Sequence, residues 1–238
     1  MGLSSGRSIW NGVWLLVLAT GLSATGLFAA DPPSKTLDGW GDVVNRRRDC
    51  KFDLQEGVLT INVPGTPHNL NKVISDLNAP RVLQEVEGAF TIQVKVSGDF
   101  TPSPRSTVAP RGKAFNGAGL LLWVDESQFI RLERNIWING DGSADCHPPL
   151  FDLILNGVPQ EKSPAPVPAT FFSTPETWLR LERKGEVVVG SLSHDGSAWQ
   201  KAGEITAKLP AKVSAGVAAV NTSRKPFKAV FAELKIDR

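Results

Sequence analysis

Hydrophobic and polar positions alternate with a period of two along much of the chain. Phe90, Ile92, Val94 and Val96 fall on one face of a predicted strand, and Thr91, Gln93 and Lys95 on the other. That is the pattern of a half-buried antiparallel strand. The stretch Gly117 to Asn135, GAGLLLWVDESQFIRLERN, reads as two strands and a tight turn. Its first strand is almost wholly apolar. Its second sets Phe129, Arg131 and Glu133 against Ile130, Leu132 and Arg134. A sheet with one greasy face and one face carrying Trp, Arg and Glu predicts a β-sandwich with a polar, Trp-bearing outer surface. A three-residue turn, Glu126 to Gln128, sets Trp123 opposite Arg131 and Leu122 opposite Leu132. A two- or four-residue turn sets Leu122 beside Arg131; the first register matches like with like.

Further strands are predicted at Lys51 to Leu54 and Val58 to Val63, around Arg81 to Gln84, at Leu150 to Asn156 and at Trp178 to Lys184. Glu186 to Trp199 reads as a hairpin turning at Asp195-Gly196. Val213 to Val220 and Phe227 to Ile236 form a closing pair. Pro64 to Leu70, Thr101 to Lys113 and Trp137 to Asp145 read as turns and loops, and the four prolines in Val158 to Pro168 favour extended backbone. Arg46-Arg47-Arg48 reads as a solvated turn. No amphipathic helix is convincing. At least eleven short strands at this spacing predict a sandwich or barrel. One internal echo pairs Phe129-Ile130-Arg131-Leu132-Glu133-Arg134-Asn135 with Trp178-Leu179-Arg180-Leu181-Glu182-Arg183-Lys184. It occurs only twice, so it marks two strands in equivalent settings rather than a solenoid.

Composition adds little to the fold but excludes some partners. The chain has 238 residues, 41% of them hydrophobic, enough for one large β domain. With 26 basic and 24 acidic residues the net charge is +2, which gives no reason to expect nucleic acid or an anionic membrane as partner.

The first thirty residues read as an export signal. Arg7 supplies the positive end, Val13 to Ala30 carries no charge, and the first acidic residue is Asp31 in the context Asp31-Pro32-Pro33. The expected mature start lies between Leu27 and Asp31, leaving residues 31–238 as a single exported, periplasmic or extracellular domain with no membrane contact. The alternative is an uncleaved anchor, for which Gly, Ser and Thr dilute the apolar run. Cys50 and Cys146 both lie in the exported part, and an oxidising compartment lets them pair as a disulfide. Two buried thiols or a metal site are the alternatives, but neither Cys has Cys-x-x-Cys spacing.

Asn78-Ala79-Pro80-Arg81-Val82-Leu83-Gln84, Gly119-Leu120-Leu121-Leu122-Trp123, Phe129 to Arg134, Trp178-Leu179-Arg180-Leu181 and Ser193 to Trp199 occur in an order that resembles a concanavalin A-like family, the regulation-of-enolase type. Ala215 to Ala219 and Phe227 to Phe231 resemble the last hairpin of that superfamily. The resemblance implies an all-β, concanavalin A-like jelly-roll sandwich of two antiparallel sheets, one concave. It implies little about chemistry, because the superfamily holds lectins, glycosidases and modules without known ligands.

Sugar recognition uses flat apolar rings for the sugar's C–H face and planar polar groups for its hydroxyls. Trp123, Arg131, Glu133, Arg134, Trp137 and Asn139, with Asp141 beyond them, offer those types within a short span. They are the candidate ligand-binding residues of a non-catalytic carbohydrate- or glycan-binding protein. Hydrolysis needs two carboxylates at fixed separation. Glu133 is the one catalytic candidate, and the Arg residues beside it lower a carboxyl pKa that a general acid needs raised. A glycoside hydrolase and a protein-interaction module without sugar ligand remain the alternatives. Asn139 to Asp145 alternates oxygen donors as a calcium loop does, with Asp141 and Asp145 its acids, but lacks the closing acid. A glycine-rich turn is expected there, and no metal or cofactor. His68, His147 and His194 lie far apart and lack metal-site spacing. Asn221-Thr222-Ser223 is a formal glycosylation sequon.

Overall fold

The computed structural model describes residues 35–71, 76–108, 112–138 and 174–238, with the backbone of three strands between 144 and 160. The chain divides into two units, Met1–Pro32 and Pro33–Arg238, and the described residues lie in the second. Among them there is no helix. Every strand pairing is antiparallel, and two sheets face each other. Strands are numbered in chain order.

The first sheet has nine strands. Its order is β1 (Thr36–Leu37), β2 (Gly41–Val44), β5 (Arg81–Glu87), β15 (Lys212–Asn221), β7 (Phe115–Trp123), β8 (Phe129–Ile138), β10 (Leu150–Leu155) and β11 (Val158–Gln160), with β9 (Ala144–Cys146) also paired to β8. The second has seven: β14 (Gln200–Thr206), β13 (Val187–Ser193), β12 (Thr177–Lys184), β6 (Phe90–Gly98), β16 (Phe227–Asp237), β4 (Val58–Val63) and β3 (Lys51–Gln55). The chain changes sheet between β2 and β3, β4 and β5, β6 and β7, β11 and β12, and again on either side of β15. The expected jelly-roll sandwich of two antiparallel sheets is what the chain forms.

Period-two patterning produces this packing directly. Phe90, Ile92, Val94 and Val96 of β6 are buried between the sheets, as are Leu179 and Leu181 of β12 and Leu120, Leu122, Ile130 and Leu132 of β7 and β8. Each such side chain fully removed from water contributes about 1.5–3 kcal/mol. The apolar strand Gly117 to Trp123 is apolar on both faces because both are covered. A second cluster forms on its outer side, where Leu70, Leu77 and Ala79 fold over Leu83, Leu121, Phe129, Ala218 and Val220.

The loop that carries Leu70 and Leu77 is pinned by its polar groups. His68 and Asn221 exchange backbone hydrogen bonds of 2.9 and 2.8 Å. The Asn78 side chain accepts from the Asn69 amide and donates to the Pro67 carbonyl. Asn221 is fully buried; it donates to the Pro64 and Lys225 carbonyls and accepts from Asn116 and the Ser223 amide. Its sequon is therefore a structural joint, with the amide nitrogen already committed inside the fold.

The β7–β8 turn corrects the expected register. Trp123 pairs with Phe129 and Leu121 with Arg131, so the strands sit two residues away from the expected Trp123–Arg131 alignment. The cause is Asp125. Its Oδ1 accepts from the Ser127 and Gln128 amides at 2.6 and 2.9 Å, and Val124 N–H donates to the Gln128 carbonyl. The turn is thus Asp125 to Ser127, one residue earlier than expected. Because the slip is even, every side chain keeps the face assigned to it. The Asp195-Gly196 turn forms between β13 and β14 as expected, with Gly196 at φ 76°.

Of the two cysteines expected to pair, only Cys50 has a described side chain. Cys50 is a free, buried thiol beside Asp49. Burial and the neighbouring carboxylate push it up to about 12, so it stays protonated.

Candidate functional site

The two copies of the Arg-Leu-Glu-Arg motif lie on facing sheets, one on β8 and one on β12. In each the Leu points into the core, and the first Arg and the Glu point outward. The last Arg of each copy points inward, Arg134 in mid-strand and Arg183 near the end of β12. Arg134 donates to Thr177 Oγ1 at 2.6 Å and to the Thr174 carbonyl at 2.8 Å, and lies over the Phe100 ring. Arg183 donates to the carbonyls of Gly185, Leu209, Pro210 and Ala211. Both are joints of the sandwich. Arg134 is thereby removed from the set of expected ligand-binding residues.

The outward groups of the two copies differ in access. On β8 the Arg131 and Glu133 side chains are 12% and 1% exposed and stand 3.7 Å apart. A side chain at Gly117 would meet the Phe115 ring at 2.6 Å and a Glu133 carboxylate oxygen at 2.9 Å, so ring and carboxylate close over that glycine. Glu133 is buried beside Arg131 rather than standing on an open face. Trp123 is stacked on Phe129 at 5.1 Å, and the Arg81 guanidinium lies 4.2 Å from its ring centroid. Arg81 is itself buried, donates to the Leu77 and Ala79 carbonyls, and is pushed down to about 10 by burial, which still leaves it charged at neutral pH. Trp123 therefore belongs to the second apolar cluster as its rim. Trp137 is half-buried with the Lys113 ammonium 4.1 Å from its ring. Asn139 and Asp141 lie outside the described residues, as does the side chain of Asp145.

On β12 the same positions are open. Arg180 and Glu182 are 23% and 29% exposed and 3.3 Å apart. The Arg180 guanidinium lies 4.2 Å from the Trp199 ring. Trp178, one pairing step along, has the Gly196 turn against its ring and the Lys95 ammonium 5.8 Å away. Strand register builds the platform: Trp178 stands between Lys95 and Ser193, and Arg180 between Gln93 and Ser191, with Lys201 beyond. Lys95 also pairs with Glu233 at 2.8 Å and Glu176 at 3.8 Å; the Glu233 hydrogen bond chiefly holds its pKa above the ordinary lysine value.

The sequence does not reveal this second face, for a physical reason. The echo itself was visible, but strand period shows which residues point outward, not which outward face a distant loop covers. Trp199 lies beyond the turn from Trp178's partner strand, and only the β13–β14 pairing places it over Arg180.

The Gly196 turn fixes one edge of the platform. Asp195 Oδ1 accepts from the Ser197 and Ala198 amides at 2.8 and 2.9 Å and from Ser193 Oγ at 2.9 Å. The Ala198 and Ser197 amides hold the Asp195 carboxyl well below the usual carboxylate range.

The chain matches no family model and no curated protein sequence. Solved structures do share its fold. A functionally unknown protein from Saccharomyces cerevisiae superimposes with a TM-score of 0.58 at 16% identity, over 83% of this chain and 96% of that one. The GH43 BlXynB protein from Bacillus licheniformis superimposes with a TM-score of 0.52 at 16% identity, over 78% of this chain and 34% of that one. At these identities the likeness establishes the β-sandwich alone. This chain spans about a third of the length of the Bacillus protein.

Proposed function

We propose that this is an exported, non-catalytic glycan-binding protein, and that the open face of β6, β12 and β13 holds the sugar. The observation that carries the proposal is the half-exposed group of Trp178, Arg180, Glu182 and Trp199 on one rigid sheet. Aromatic rings supply flat apolar area at low entropy cost, and a guanidinium with a neighbouring carboxylate offers planar donors and acceptors to paired hydroxyls. The carboxylates here are held by cations, Glu182 by Arg180 and Glu233 by Lys95, which suits holding a ligand rather than donating a proton to one. The resemblance to concanavalin A-like proteins and the fold shared with part of a GH43 protein support the same reading. The uncharged Val13 to Ala30 run supports export.

Affinity electrophoresis in gels containing soluble polysaccharides tests it. At least one polysaccharide is expected to retard the wild-type protein. Trp199→Ala and Arg180→Ala are expected to weaken that binding roughly tenfold or more, about 1.4 kcal/mol, while Trp137→Ala leaves it intact. Retardation that survives both β12-face changes would remove the proposed face.

A further inference from the structure

We propose that Asp49, Cys50 and His68 form a binding site for a divalent transition metal of zinc's class, distinct from the glycan platform. The loop running from β4 to β5 brings His68 back beside the start of β3, where Asp49 and Cys50 adjoin. His68 Nε2 lies 2.9 Å from Asp49 Oδ1, and Cys50 Sγ lies 3.7 Å from the same oxygen. The ligand atoms of all three lie within 4.8 Å of one another. Donor atoms around tetrahedral zinc stand about 3.2–3.8 Å apart, given bonds of roughly 2.0–2.3 Å. The cluster needs only small side-chain shifts to reach that geometry.

The orientation of His68 is the second observation. Its ring is fully buried, and Nδ1 lies 3.0 Å from the Thr66 carbonyl oxygen. In the tautomer whose Nδ1–H donates to that carbonyl, Nε2 presents its lone pair on the side of the Asp49 carboxylate, 2.9 Å away. Zinc-binding histidines are held this way, with the far ring nitrogen donating to a backbone carbonyl. The Asn45 side chain donates to the Cys50 carbonyl at 2.9 Å and fixes the backbone that presents the thiol. A thiolate, an imidazole and a carboxylate form a donor set of the zinc class rather than of calcium or magnesium. On binding, the metal displaces the thiol proton to solvent. Asp49 is exposed, which gives the ion a way in and leaves a fourth position for water.

Titration of the reduced, metal-stripped full chain with Co2+ tests the site. One equivalent is expected to bind with a thiolate-to-cobalt charge-transfer band, and Zn2+ is expected to displace it. Cys50→Ser should abolish the band and Cys146→Ser should leave it. Asp49→Asn should weaken Co2+ binding roughly tenfold or more while its melting curve matches wild type. Absence of a band in the wild type, a band that survives Cys50→Ser, or unchanged affinity in Asp49→Asn would each overturn the site. The Asp49 variant decides the matter even where Cys50→Ser fails to fold, because its side chain is exposed.

Discussion

At Arg134 a guanidinium sits inside the sandwich and donates to Thr177 Oγ1 and the Thr174 carbonyl, tying β8 to the start of β12. Arg183 does the equivalent at the other end of β12, on the carbonyls of Leu209, Pro210 and Ala211. Charge-assisted hydrogen bonds of this kind contribute about 1.5–3 kcal/mol each, and a stranded partner adds its own cost. Arg134→Met is therefore expected to lower stability in urea unfolding by about 2–4 kcal/mol with glycan retardation unchanged; lost binding in a folded variant would return Arg134 to the ligand set. Asp195 gives a pH signature. Its folded pKa lies below the unfolded value, so its contribution is complete above the ordinary Asp range. That contribution is lost as pH falls through the lowered folded pKa. An NMR titration of the Ser197 and Ala198 amides should show their transition below that of ordinary surface carboxylates, and a transition in the ordinary range would contradict the turn geometry.

At the scale of strands, β7 and β8 set inside and outside for the whole fold. Gly119 stands where a Cβ would lie 2.0 Å from the Leu132 carbonyl oxygen. Gly119→Ala is expected to cost about 3 kcal/mol or more, because backbone rather than a flexible side chain must move; a thermal melt within a degree of wild type would refute that close approach. The strands themselves were legible from period two alone, in β6, β8 and β12 most clearly. The apolar run of β7 was also legible, but not why it is apolar on both sides. That depends on Leu70 and Leu77 arriving from a turn-rich loop whose pinning by His68, Asn78 and Asn221 is tertiary. The same loop buries Phe129 and turns Trp123 into a cluster rim. The β7–β8 register lies an even step from the one that like-with-like matching predicts, because Asp125 rather than Glu126 starts the turn, a choice made by side-chain acceptance of two amides. Export alone does not choose the neighbours of Cys50. Local chain geometry brings it to Asp49 and, across the β4–β5 loop, to His68.

For the molecule as a whole, one sequence motif used on two facing sheets yields two different surfaces. On the β8 side the Arg–Glu pair is buried, with the Phe115 ring and the Glu133 carboxylate both lying against Gly117. On the β12 side the hairpin turn at Gly196 stands at the edge and leaves the pair open. Function on this account follows from which copy is left uncovered. The indole N–H signals of a 15N-labelled protein, followed while a retarding polysaccharide fraction is added, test this most directly. The account predicts that Trp178 and Trp199 shift with ligand concentration while Trp40 and Trp123 stay in place. Shifts confined to Trp123 and Trp137 would place the ligand on the opposite sheet and contradict it.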